Sequence, residues 1–385
     1  MLRIRPYIII SGFNLNDNNR GTAALGYGSV SFLLEKGLLQ EGQTLLSIRS
    51  FNNVLKPVFW KKNQNTLDSN GSTWKYETIY IHNIFLWLYF KFRILLPFTT
   101  LWCYIKKISL VAAINGGDGF SDIYNTRTFF GRLLETKIAM KAGIPLIILP
   151  QTLGPFKEKK NYAIAEMILK YADKVYVRDN RFTEELQRMG VSYEETKDLS
   201  YYMQPEPWDI DILPNAVGIN VSGLAYSNGF RTLAGKFDYY PELIGKLIEA
   251  FQKKAVPVYL IPHSYNYTHP EVNNDDIVAC REAYNRLVEK QNVFLVDKDL
   301  ISPQVKYVIS KMTFFVGTRM HANFAAIYTG VPVFGLSYSY KFKGAFEANG
   351  IYDSTSSVID MKEDDVEPII SRIITKYEST NLPTR

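Results

Sequence analysis

At 385 residues the chain exceeds one ordinary core, so two domains of similar size are expected. An apolar share of 46% beside 21% charged excludes global disorder. A net charge of +6 with no concentrated basic tract excludes a nucleic-acid partner, while leaving anionic substrates or an acidic lipid leaflet.

Cys103 and Cys280 are far apart and form no CxxC pair, so neither a disulfide framework nor a zinc site nor thiol redox chemistry is expected; a reducing, cytoplasmic compartment follows. Pro6–Phe13 reads as a buried strand rather than the apolar core of a signal peptide, followed by a polar loop and a helix over 21–39. Strand, Gly/Asn loop and helix open an α/β sheet of the kind that binds ligands beyond the carboxyl ends of its strands. The loop carries neither the GxGxxG fingerprint nor a P-loop ending. Leu45–Ser50 is the second strand.

Residues 79–105 concentrate the aromatic excess, part of 26 Tyr and 23 Phe in the chain. Lys91 and Arg93 in mid-segment, each costing about 2.5–3.5 kcal/mol at a membrane centre, argue against a spanning helix, and Pro97 would break one. Two readings stand: a helical pair packed on the core, or two helices lying on a membrane interface with Trp87, Trp102, Lys91, Arg93, Lys106 and Lys107 at headgroup level.

From Leu110 strands and helices alternate, as in a parallel sheet covered on both faces. Leu110–Asp118 runs into Gly116 and Gly117, which let a ligand or a neighbouring loop approach the backbone. Strands over 144–151 and 174–179 follow, with helices over 129–142, 161–172 and 182–189. Residues 199–216, with three prolines, have linker composition and place a domain boundary at 205/206. The second half repeats the rhythm: strands over 217–222, 256–263, 293–296, 313–316 and 331–336, and helices over 240–253, 275–290, 302–310 and 322–328. The fold class expected is α/β, two Rossmann-like parallel-sheet domains facing a cleft.

The residues with the strongest chemical pattern are Val316–His321. No acidic residue occurs between Asp299 and Glu347, yet Lys306, Lys311, Arg319, Lys341, Lys343 and one of four histidines lie there. A one-sign segment at a strand-to-helix turn favours an anion, which Arg319 can grip bidentately. His321, with an ordinary pKa of about 6.5, is the natural proton donor or acceptor; the alternative is a helix-start histidine satisfied by backbone. Lys341 adds a cation, or is simply solvated. Arg178 can reach an anion, or pair with Asp179. His263 ends a strand, and Asp118 and Asp122 either orient hydroxyls, act as a base, or cap their loop.

In order along the chain, Asn19-Arg-Gly-Thr-Ala-Ala24, Asn115-Gly-Gly-Asp-Gly-Phe-Ser-Asp122, Gln151-Thr-Leu-Gly-Pro155 with Val177-Arg-Asp179, and Gly317-Thr-Arg-Met-His321 with Gly330-Val-Pro332 and Tyr340-Lys341 carry a family resemblance. The chain resembles the polysaccharide pyruvyl transferases. The resemblance implies a glycosyltransferase-B-like pair of domains, 1–205 on the acceptor side and 206–385 on the donor side. It implies phosphoenolpyruvate as donor substrate, a sugar acceptor such as a lipid-linked oligosaccharide, and no cofactor or metal. Arg319, Arg178 and Lys341 would hold carboxylate and phosphate, and His321 would serve as acid/base with Arg319 and Asp118 beside it in catalysis. Gly116, Gly117, Asp122, Gln151, His263 and Asn19 would complete substrate binding. The competing reading is a glycosyltransferase or epimerase using a nucleotide sugar. Such enzymes usually present a glutamate to the ribose, and the acid-free run from 300 to 346 argues against that.

Overall fold

The structure, a computed structural model, describes residues 5–53, 55–69, 71–338 and 341–380. The chain divides into two compact units, Met1–Leu15 with Leu25–Met203, and Asn16–Ala24 with Gln204–Arg385. The short excursion Asn16–Ala24 thus belongs with the C-terminal half.

The strands of the first unit are β1 Tyr7–Ile10, β2 Thr44–Phe51, β3 Trp60–Ser69, β4 Ser72–His82, β5 Ile108–Ala113, β6 Leu146–Gln151, β7 Lys174–Val177 and β8 Glu194–Glu195. They form one sheet in the order β3-β4-β2-β1-β5-β6-β7-β8, parallel except for the β3–β4 pair. Alternation along β1 shows why both faces are covered: Ile8 and Ile10 pack into one core and Ile9 into the other.

The helical reading of 79–105 is corrected at its start. Ile79–His82 finish β4, which pairs with β2 from Lys75 to His82, and only Asn83–Phe92 and Thr100–Ile105 are helical. His82 and Thr99 cap these helices through side-chain acceptors for Ile84 N and Trp102 N. Arg93, left-handed at φ 58°, ends the first before Pro97 is reached. The β3–β4 hairpin was hidden by the polar composition of β3, although the Asn70-Gly71 dipeptide is a strong hairpin signal.

The second unit contains β9 Val217–Asn220, β10 Val258–Leu260, β11 Val293–Leu295, β12 Phe314–Gly317, β13 Val333–Ser337 and β14 Thr355–Ser357. Every pair is parallel, in the order β11-β10-β9-β12-β13-β14. This is the doubly wound order, with its switch point between β9 and β12. Val217, Ile219, Phe314 and Val316 fill the core on one face, while Phe315 points into the other. β14 and the amphipathic Val366–Thr380 helix, buried through Val366, Ile369, Ile370 and Ile373, complete the unit beyond the last element read from sequence. Among the described residues no helix is long and apolar enough to cross a membrane.

Candidate active site

Beyond the carboxyl ends of β9 and β12, where the crossover connections diverge, the second unit assembles a buried polar cluster. Asn220, fully buried at the end of β9, ties three strand ends together. Its amide donates to Ile261 O at 3.0 Å and to Asp276 Oδ2 at 3.1 Å, and its Oδ1 accepts Arg319 N at 2.8 Å.

Asp276 is the hub, fully buried at the start of the Asp276–Arg286 helix. Its Oδ1 accepts Gly223 N at 2.9 Å and Arg319 Nε and Nη2 at 3.0 and 2.8 Å. Its Oδ2 accepts His263 N and Ser264 N, both at 3.0 Å. Arg319 Nη2 also donates to Asn274 O at 2.7 Å. Burial opposes the Arg319 charge, but the Asp276 carboxylate, with help from the Tyr338 phenol, more than offsets it and holds the guanidinium above the ordinary arginine range. A buried carboxylate keeps one arginine charged and fixed in direction. The acid-free run around Arg319 therefore has its counter-charge supplied from elsewhere in the chain.

His263 is 4% exposed, and its Nδ1 is buried without a hydrogen-bond partner. Burial first, then the positive charges of His321, Arg319 and Arg20, push its pKa well below the usual histidine value. Ser222 Oγ, past the end of β9, is likewise buried and unpartnered. Native interiors rarely leave such atoms unmatched, and a bound ligand is one way to satisfy them.

His321 lies in the first turn of the Met320–Ile327 helix, its ring edge-on to Phe324 at 5.7 Å between centroids. Gly21 packs directly against it: a Cβ there would stand 2.5 Å from His321 Nδ1. Gly21→Ala is therefore expected to displace His321 and lower turnover, with some loss of thermal stability because the clash reaches the His321 Cβ, 2.9 Å away, as well as its ring; unchanged kcat would separate His321 from the chemistry.

Gly21 belongs to the Asn16–Ala24 excursion, anchored by the buried Arg20. Arg20 Nε donates to Leu300 O at 2.7 Å, Nη2 pairs with Asp299 at 2.9 Å, and its guanidinium lies 4.4 Å from the Tyr265 ring centroid. Ser302 Oγ donates to Arg20 O at 2.6 Å. Asn19 caps the helix that begins at Arg20, its Oδ1 accepting Gly21 N at 3.0 Å. Sequence reasoning placed Arg20 in a motif without giving its side chain a part, and missed Asp276 and Asn220. Asp276 sits in an Asn-Asn-Asp-Asp run that reads locally as a helix cap; only the tertiary fold reveals its target.

The depressed His263 pKa carries a stability consequence. The unfolded chain takes up a proton below about pH 6.5, while the native state refuses it, so this contribution falls as pH drops from that point towards the folded value. His263→Gln should flatten the fall of Tm between roughly pH 7 and pH 5; parallel Tm–pH curves for both proteins would refute it.

The first unit carries its own cluster past the ends of β1 and β5, again a switch point. Ser11 Oγ donates to Ile114 O at 2.9 Å and accepts Ile114 N at 2.8 Å, fastening the two strand ends. Gly116 and Gly117 follow with positive φ, and a Cβ on Gly117 would lie 2.9 Å from Arg178 Nη1. Asp118 is half-buried and accepts from Tyr124 OH at 2.9 Å.

Arg178 is already committed within this unit: Nη1 donates to Asp198 at 2.7 Å and Nε to Thr152 Oγ1 at 3.1 Å. Burial opposes its charge, and Asp198 and Asp179 more than offset that. Gln151, fully buried, spends its amide between Asn115 N at 2.9 Å and Ala113 O at 3.0 Å. Asp122 accepts Lys157 N, Glu158 N and Asn161 Nδ2, stapling the start of the Lys159–Tyr171 helix. Substrate contact is expected of these three side chains, and each also fastens the framework. The structure brings Arg319, His321, His263 and Asn19 together in the second unit, and Gly116, Gly117, Asp118, Asp122, Gln151 and Arg178 in the first. Lys341 opens the Lys341–Glu347 helix, but its side chain lies outside the described residues.

A family model described as "Polysaccharide pyruvyl transferase" matches residues 33–340. A curated relative, the amylovoran biosynthesis protein AmsJ of Erwinia amylovora, is 18% identical over 288 residues, 71% of this chain and 67% of that one. Among solved structures, the UDP-GlcNAc 2-epimerase of Methanocaldococcus jannaschii is similar at TM-score 0.54 and 10% identity, covering 98% of this chain and 93% of the other. A UDP-N-acetylglucosamine 2-epimerase of Listeria monocytogenes, described as putative, reaches TM-score 0.52 at 11% identity, covering 97% and 89%. At these identities the likeness concerns the fold alone, the paired parallel-sheet arrangement that these two epimerases share.

Proposed function

Because the chain belongs to the polysaccharide pyruvyl transferase family, we propose that it moves the enolpyruvyl group of phosphoenolpyruvate onto two hydroxyls of a sugar, releasing phosphate and leaving a cyclic ketal. The observation that carries this reading is the convergence of Arg319, His263 and His321 at the switch point of the second sheet, with buried polar atoms on His263 and Ser222 awaiting partners. Phosphoenolpyruvate is compact and carries about three negative charges at neutral pH, a match for the fixed Arg319 guanidinium, which needs no reordering on binding.

In this scheme His321 protonates the donor's methylene carbon. A sugar hydroxyl attacks the oxocarbenium-like carbon next to it, and its proton returns to the imidazole. The carbon–oxygen bond to phosphate then breaks, and a second hydroxyl closes the ketal. One hydroxyl proton ends on the new methyl group and the other on the departing phosphate. Arg319 and the neutral His263 hold the donor's oxygens, joined by Lys341. The Gly116-Gly117-Asp118 turn of the first unit is assigned to the sugar, which we read as a lipid-linked oligosaccharide in cytoplasmic assembly of a cell-surface polysaccharide.

Purified protein mixed with phosphoenolpyruvate and candidate acceptors should release phosphate and add mass to the sugar. Saturable binding of a UDP-sugar, with no mass gain on any acceptor, would overturn the reading in favour of a nucleotide-sugar enzyme. Arg319→Lys should raise the donor KM about tenfold or more, because an ammonium cannot serve both Asp276 and a ligand as the planar fork does; a wild-type KM would place the anion elsewhere.

A further inference from the structure

Most of the exposed large apolar side chains among the described residues fall between Leu55 and Trp102, all within the first unit. Six define the patch: Phe59, Ile84, Trp87, Phe92, Phe98 and Trp102. The core does not need them. The Asn83–Phe92 helix buries Leu86 and Tyr89, and the Thr100–Ile105 helix buries Leu101, Tyr104 and Ile105, leaving the opposite sides apolar as well. The link between the helices holds Phe98 76% exposed in a left-handed conformation, φ 62°. Within it, Thr100 N donates to Val58 O at 3.1 Å beside Phe59, the Phe98 and Trp102 rings lie 5.6 Å apart, and the Trp87 and Phe92 rings 5.3 Å apart.

We propose that this face docks the protein on an anionic lipid bilayer. Charge selects that occupant. From Thr78 to Gly117 the chain has no acidic residue, while Lys91, Arg93, Lys106 and Lys107 are all exposed. Glu77, which bounds the run, is taken up by Lys61 at 3.6 Å and by the Tyr104 hydroxyl at 2.9 Å. Lys91 Nζ sits 5.2 Å from the Trp87 ring and 5.1 Å from Phe92, so its stem follows the apolar patch with the ammonium at the edge. Rings and aliphatic side chains below, with tryptophans and lysines at the rim, match the layering of acyl chains, interface and anionic headgroups. A protein partner of the usual kind would be met by charges of both signs; here the exposed apolar groups are bordered by Lys91, Arg93, Lys106 and Lys107, with no acidic residue from Thr78 to Gly117. The inference uses no residue of the catalytic scheme and stands independently of it.

The test floats full-length protein with vesicles of phosphatidylcholine alone or mixed with phosphatidylglycerol. Flotation is expected with the mixed vesicles, about tenfold weaker with the neutral ones, and weakened further by salt. Phe98→Ser combined with Trp102→Ser should lower vesicle affinity by about tenfold or more at unchanged Tm. Lys91→Glu with Arg93→Glu should abolish the preference for anionic lipid. Phosphate release with a soluble acceptor should be the same in all of these variants, which keeps this test apart from that of the activity. A wild-type protein that ignores anionic vesicles, or variants that float as it does, would overturn the proposal. So would a concentration-dependent dimer, dispersed by the serine variants and indifferent to lipid.

Discussion

Replacing His321 by alanine should lower kcat by about two to four orders of magnitude, the usual worth of a positioned acid/base group, while the donor's dissociation constant moves only a few-fold. The separation follows from geometry. In the proposed scheme the donor's charge is met by Arg319, which Asp276 and Asn274 hold independently of His321. His321 is half-buried in the first turn of its helix, and its loss opens space against Gly21 without stranding a buried charge. Stability should therefore change little. Steady-state kinetics, equilibrium binding of phosphoenolpyruvate and a melting curve form one experiment. A kcat within threefold of wild type would remove His321 from the mechanism, and a collapsed melting curve would make it a structural histidine.

Asp276→Ala should produce the largest loss of stability, about 3–5 kcal/mol, because it leaves Arg319 buried without its counter-charge. The same change strips the acceptor from the main-chain N–H groups of Gly223, His263 and Ser264. Asp276→Asn should fall between alanine and wild type, since an amide oxygen can still accept from the backbone but cannot balance a guanidinium. Urea unfolding measures both variants. If Asp276→Ala costs under about 1 kcal/mol, the hub is not what holds the three strand ends together. Donor KM should rise in step, as Arg319 is released from its bearing.

The alternating rhythm of buried strands and amphipathic helices made the two parallel sheets legible, because in such sheets almost every strand is apolar on both faces. The motif Gly317–His321 was legible for a related reason: a strand-to-helix turn must sit at the carboxyl edge, where ligands bind. What escaped was set by contacts remote in sequence. β3 is polar because it is the antiparallel edge strand, so its hairpin looks like a loop unless Asn70-Gly71 is given full weight. The hydrogen-bond partners of Gln151 and Arg178, which are Asn115, Ala113 and Asp198, are likewise chosen by the fold. Asp276 lies 43 positions from Arg319, and nothing near it in sequence announces the arginine.

Residues 16–24 have a consequence for engineering. The second unit borrows these residues from the far N-terminus, with Arg20 buried against Leu300, Asp299 and Tyr265, and Gly21 against His321. A single cut near residue 205 therefore does not yield a self-sufficient C-terminal unit. A chimaera that exchanges C-terminal halves between relatives must transplant two pieces from the same parent, the half itself and the nine-residue segment Asn16–Ala24.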